Sequence, residues 1–121
     1  MALDAAGIRA ALPAPLRENW DRIAALDAAL RKALAGDLPD ELGDIAAQRS
    51  RCIEALFAAF PLDPGTAALR ADALQHLLRE NDALASAARQ SLAAAADVAT
   101  TARRQRKAIS AYHEHPPGTR T

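Results

Sequence analysis

The feature that most constrains this chain is a stretch with no helix breaker. From Thr66 to Tyr112 there is neither Gly nor Pro, and Ala, Leu, Arg and Gln dominate. Side chains of that kind lose little freedom in a helix, so the run predicts one continuous helix about 70 Å long at 1.5 Å per residue. Alternating steps of four and three residues pick out Arg70, Leu74, Leu77, Asn81, Leu84, Ala88, Ser91, Ala95, Val98, Ala102, Gln105, Ile109 and Tyr112 as a heptad seam. Leu78, Ala85, Leu92 and Ala99 lie beside it and widen it enough for two partner helices. Asp72, His76, Arg79, Glu80, Arg89 and Arg104 fall on the other side and are expected to face water.

Upstream, Pro and Gly mark the remaining boundaries. Ala2 to Leu12 hold enough for a short N-terminal helix of one or two turns before Pro13 and Pro15, and Pro15 suits the first turn of the next helix. That helix, Pro15 to Ala35, carries Leu16, Trp20, Ile23, Leu26, Leu30 and Leu34 at helical spacing, and Gly36 stops it. After the loop Gly36-Asp37-Leu38, the residues Pro39, Asp40 and Glu41 are start signals. The helix they open presents Leu42, Ile45, Cys52, Ile53, Leu56, Phe57 and Phe60, and ends at Pro61 and Pro64.

Short loops make successive helices antiparallel neighbours. The expected fold class is therefore all-α, an antiparallel three-helix bundle with the long C-terminal helix projecting beyond the first two, each of which spans only about 30 Å. Its expected core is Trp20, Ile23, Leu30, Ile53, Leu56, Leu74 and Leu77, while Ala95, Val98, Ala102, Ile109 and Tyr112 are expected to stay uncovered. Residues 1–112 read as one domain and 113–121, with two prolines and no apolar residue, as a disordered tail.

Composition narrows the function classes. Half of the 121 residues are apolar, yet the aromatics are only Trp20, Phe57, Phe60 and Tyr112, so the core must be built from Leu and Ala and strands are disfavoured. Basic and acidic residues balance at 15 each, which argues against attachment to nucleic acid or anionic lipid by bulk charge. The balance is uneven along the chain: residues 1–65 hold seven basic and ten acidic groups, residues 66–121 eight and five. Cys52 is the only cysteine, which favours a reducing compartment. The opening residues lack a basic start and an apolar core, and no run suits a membrane span, so a cytoplasmic protein is expected.

Motifs for chemistry are absent. The chain has no Gly-rich phosphate loop, no metal-spaced Cys pair, no His-Glu-x-x-His and no nucleophile elbow, so neither enzyme activity nor a cofactor is expected. Asp72, His76 and Glu80 have a spacing that can hold a metal, but their place opposite the seam reads as a solvated row. His113-Glu114-His115 lacks preorganised geometry. Arg103, Arg104, Arg106 and Lys107 either touch phosphates or simply solvate a helix end. Asn81 either fixes helix register or lines a groove, and Cys52 reads as a small buried hydrophobe.

Several segments together resemble the FliT family of flagellar export chaperones: Gln-Arg-Ser-Arg-Cys-Ile-Glu-Ala-Leu leading to Phe-Pro, then Leu-Leu-Arg-Glu-Asn-Asp-Ala-Leu, and finally Arg-Arg-Gln-Arg-Lys-Ala-Ile-Ser-Ala-Tyr. The resemblance implies a non-enzymatic chaperone that holds the terminal segment of the filament-cap protein, docks on the export gate and export ATPase, and in some members restrains the flagellar master regulator. By position it assigns Tyr112 to docking at the gate. In the family the last segment can fold back as a separate helix, but here Ala93 to Ala108 contains neither Gly nor Pro.

The residues themselves point to Leu92, Val98, Ile109 and Tyr112, flanked by Arg103, Arg106 and Lys107, as one partner-binding stripe. The competing readings are a coiled-coil protein that self-associates through the seam, as a homodimer for example, and a small DNA-associated regulator using the basic helix end.

Overall fold

The computed structural model describes residues 2–36 and 39–114, and among them there are four helices and no strand. In chain order these are α1 (Ala5–Ala11), α2 (Ala14–Gly36), α3 (Pro39–Ala59) and α4 (Ala67–Glu114). The fold is an all-α helical bundle, as the breaker pattern predicts. The predicted loop at residues 37 and 38 and the tail from 115 onward lie outside the described residues. His113 and Glu114 belong to α4.

The chain forms two compact units, Met1–Ala88 and Arg89–Thr121. In the first, α2 and α3 pack side by side. Contacts across the helices fix their directions: Arg49 on α3 meets Asp27 on α2 and Asn81 on α4, while Phe57 on α3 meets Arg70 on α4. Positions rise along α3 as they fall along α4, so the two are antiparallel. On α4, His76 and Glu80 meet Trp20 and Arg31 of α2 in the same order, so α2 and α4 run parallel.

The tight core joins Ile8, Leu12, Leu16, Trp20, Ile23, Leu56, Phe60, Ala73 and Leu77, with Ala5, Cys52, Ile53, Phe57 and Leu69 packed against it. Burying a Leu- or Ile-sized side chain stabilises by about 1.5–3 kcal/mol, which makes this cluster the main source of stability. The short N-terminal helix is a full part of it: Ile8 and Leu12 are among the most deeply buried side chains. Asp4 caps α1 by accepting the Gly7 N–H at 2.7 Å. The extended backbone at Leu12, required before Pro13, ends the helix. Arg17 then donates to the Leu12 carbonyl at 2.9 Å, and Arg9 forks onto Asp21 at 2.7 and 2.9 Å.

Two expectations for α4 need correction. Leu74, predicted as core, is 46% exposed, and Leu78 beside it is exposed as well. The inward row is Leu69, Ala73, Leu77 and Leu84, turned from the predicted seam towards Ala73. Ala73 carries so little side chain that the neighbouring helices can close on it, and a pattern ranked by hydrophobicity prefers Leu74. The same rotation draws in residues expected to face water. Asp72 accepts the Leu3 N–H at 3.0 Å, the His76 ring lies 5.2 Å from that of Trp20, and Glu80 accepts from Arg31 at 2.9 Å. Among the described residues no group of His, Cys, Asp and Glu could hold a metal ion.

A candidate peptide-binding groove

Away from the α1 end, the first unit does not close. α2 supplies Leu30 and Leu34, α3 supplies Leu42, Ala46, Arg49 and Ser50, and α4 supplies Asn81, Leu84, Ala85 and Ala88 to an open groove of about 350 Å³. Its origin is in side-chain size. Ala46, Ser50, Ala85 and Ala88 stand where a closed bundle would need Leu or Ile, so the three backbones are lined but not filled.

The floor is polar in one place. Arg49 is 7% exposed and Asp27 8%, and the Arg49 Nε donates to Asp27 Oδ1. Arg49 Nη1 donates to Asn81 Oδ1, whereas the Nη2 group, also buried, has no hydrogen-bond partner among the described residues. Burial pushes the Asp27 carboxyl above its ordinary range, against the opposing pull of the Arg49 hydrogen bond. A buried donor without an acceptor costs about 1–3 kcal/mol, and more when charged, so its presence asks for an explanation. Of the two roles open to Asn81, the structure shows it lining the groove, and there it also positions Arg49. Sequence reading missed the rest of this groove. The available signal was the Ala and Ser content of α3 and α4 at helical spacing beside Leu30, Leu34 and Leu42.

A second apolar surface in the same unit surrounds the turn after α3. Pro61, Leu62, Pro64, Ala67, Ala71 and Leu74 line a hollow of about 470 Å³, with Leu62 86% exposed. Arg70 sits over the Phe57 ring at 5.5 Å on its flank. Thr66 ties the turn, donating from Oγ1 to the Pro61 carbonyl at 2.8 Å.

In the second unit α4 continues without a break, and Thr100 Oγ1 donates to the Ala96 carbonyl at 2.9 Å within it. All seven residues expected at the partner stripe, Leu92, Val98, Arg103, Arg106, Lys107, Ile109 and Tyr112, are exposed here. They do not form one stripe. At about 100° per residue, Val98, Ile109 and Tyr112 share a side, while Leu92 lies roughly 100° or more around the helix from each of them. Arg103, Arg106 and Lys107 fall on the Leu92 side. The stretch is thus amphipathic, with an apolar side and a basic side, rather than an apolar row with basic edges.

The described residues thus form a small helical bundle with an unfilled apolar groove and further exposed apolar surface. The sequence matches the model of the family described as flagellar protein FliT over residues 17–114, and the chain belongs to that family. The match leaves α1 outside it. Comparison with curated proteins and with solved structures gives no match. Among the described residues, no helix is long and apolar enough to cross a membrane.

Proposed function

We propose that this FliT-family protein is a flagellar export chaperone, and that its groove holds an amphipathic helix from the terminal segment of the filament-cap protein. The observation that carries this reading is the open groove of Leu30, Leu34, Leu42, Ala46, Leu84, Ala85 and Ala88. It offers the Leu- and Ala-lined slot that helix-in-groove recognition uses, in which side chains at helical spacing enter from a partner helix. Binding of this kind involves no bond making, which agrees with the lack of catalytic motifs in the sequence. The exposed end of α4, with Tyr112 as an aromatic anchor, is the part proposed to meet the export gate and ATPase, and contact with the master regulator belongs to the same adaptor role.

The test fills the groove. Ala46 and Ala85 are exposed, so Ala46→Trp or Ala85→Trp adds bulk without disturbing the core. Titration of the cap protein's terminal segment should show at least a tenfold loss of affinity with an unchanged helical spectrum. Unchanged affinity in both variants would remove the groove from the reading. For the α4 end, Tyr112→Ala should leave the fold intact while gate binding weakens by about 1–3 kcal/mol. A specific observation also supports self-association: Val98, Ile109 and Tyr112 present apolar groups to water on one side of a helix. Light scattering on the free protein and with the cap segment separates the two, since a client that competes with a dimer yields a one-to-one complex.

A further inference from the structure

We propose that the groove and the hollow beside the turn after α3 are the two ends of one track along the α3–α4 seam. Its occupant is a single partner helix of about 20 residues whose heptad-spaced apolar face is flanked by Lys or Arg. The inference rests on the groove reading above and adds to it the length, the spacing and the charge of the occupant.

The two openings are joined by a row on α4. Ala67, Ala71 and Leu74 line the hollow, and Asn81 and Ala85 line the groove. Leu78 stands between them and is 52% exposed. These six positions follow one another in steps of four and three, and at about 100° per residue they share a sector of about 80°. The rotation that turns Ala73 inward is what leaves Leu74 and Leu78 outward, so the row runs along the outside of the closed core. On α3, Ala46 and Ser50 line the groove, and half-buried Ile53 and Phe57 follow at steps of three and four towards Pro61 and Leu62 of the hollow. From Ala67 to Ala88 the rise is about 30 Å, the length of a helix of about 20 residues.

Backbone chemistry decides that the occupant is a helix. α3 and α4 satisfy their peptide groups internally, so an extended segment laid along them would find no ladder to join. A helix arrives with its own peptide groups satisfied and needs only side-chain contacts, and steps of four and three are the spacing at which one helix seats on another.

Charge decides what flanks its apolar face. Glu54 lies one turn along α3 from Ser50, and Asp82 lies one turn along α4 from Leu78, so each borders the track on its own helix. Both are exposed, and neither enters an ion pair among the described residues. Arg51 and Arg79 fall about 60° farther round their helices from the seam. Arg49 is paired with Asp27, and Arg70 and Asp63 both line the hollow, where their charges balance. The unbalanced charge is therefore negative on both sides of the track, at positions flanking a seam, where cations of the incoming helix would meet it.

The experiment titrates three synthetic peptides of about 20 residues against the full chain, each with Leu and Ala on one heptad face. The first is flanked by Lys, the second by Glu, and the third by Lys with Ser replacing Leu over half its length. Wild type should bind the first about tenfold more tightly than the third and about fivefold more tightly than the second. Leu78→Ser and Ala71→Trp alter exposed positions, one midway along the track and one in the hollow. Each should weaken the first peptide about tenfold with an unchanged helical spectrum, as Ala46→Trp should from the groove. The double variant Glu54→Lys/Asp82→Lys should reverse the order of the first two peptides. If Ala46→Trp weakens the first peptide while Ala71→Trp and Leu78→Ser do not, the groove stops short of the hollow. That result, or equal binding of the Lys and Glu peptides, overturns the proposal while leaving the groove in place. If no peptide binds wild type, or if Ala46→Trp weakens none of them, the groove reading itself falls.

Discussion

The two ends of the Met1–Ala88 unit carry side chains of different size and reach opposite outcomes. At one end Ile8, Leu12, Leu16, Trp20, Leu56, Phe60, Ala73 and Leu77 close completely. At the other, Leu34 and Leu42 stay half-exposed around a groove whose one deeply buried polar cluster is Arg49 and Asp27. Besides side-chain size, the closed end has a lid. α1 and its C-cap residue bring Ile8 and Leu12 over the first end, held by the Arg9–Asp21 ion pair and by Arg17. Among the described residues nothing comparable covers the second. Along its length this Ala-rich unit is thus filled at one end, and the end proposed to bind is the one left unfilled.

The contrast can be broken first at Arg49. Arg49→Ala strands the buried Asp27 carboxylate and should destabilise by about 3–5 kcal/mol, while the double replacement Asp27→Leu/Arg49→Met should be near neutral or stabilising. Chemical denaturation followed by Trp20 fluorescence measures both. Equal losses in the two variants would show that the cluster is a source of packing stability rather than a polar floor. Next, Leu56→Ala at the closed end should cost about 2–5 kcal/mol, and Leu42→Ala at the groove less than about 1.5 kcal/mol. Similar values would mean that both ends are packed alike.

A smaller effect concerns pH, and here the ends differ in sign. Burial raises the folded pKa of Asp27, so between the ordinary Asp range and that raised value the folded state binds more protons than the unfolded one. The stability contributed by Asp27 is thus complete at lower pH and is lost as pH rises through the window. Asp21, lowered chiefly by its hydrogen bond from Arg9, behaves oppositely: its contribution is present above the ordinary range and fades as pH falls. Asp27→Asn should gain on wild type as pH rises through the acidic window, read from melting curves at a series of pH values. A gap between the two that stays flat would place Asp27 in water. The smallest effect is expected at Gly43, which lies in α3 with open space where a methyl group would stand. Gly43→Ala should stabilise by about 0.5–1 kcal/mol without altering groove binding, and a loss of stability there would contradict the open geometry.

Part of this architecture was legible in residue order alone. Pro13, Gly36, Pro39, Pro61 and Gly65 delimit the helices because each acts through its own backbone, and the unbroken stretch to Tyr112 is one helix for the same local reason. Trp20, Ile23, Leu30, Leu56 and Leu77 were recognisable as core from their size and spacing. The exposure of Tyr112, Ile109 and Val98 was also expected from residue order.

What only the tertiary structure decided is rotation and closure. Whether Leu74 or Ala73 faces inward depends on how near the partner helices come, and in a chain this rich in Ala the periodic pattern allows both. Whether Asp72, His76 and Glu80 meet water or Leu3, Trp20 and Arg31 follows from that same rotation. The partnership of Asp27 with Arg49 and Asn81 joins three helices, and no local rule links residues so far apart along the chain. Backbone propensity is a property of neighbours in sequence, so it determined the helices. The groove is the volume left where three helices meet without filling the space, and that depends on side-chain sizes summed across all of them.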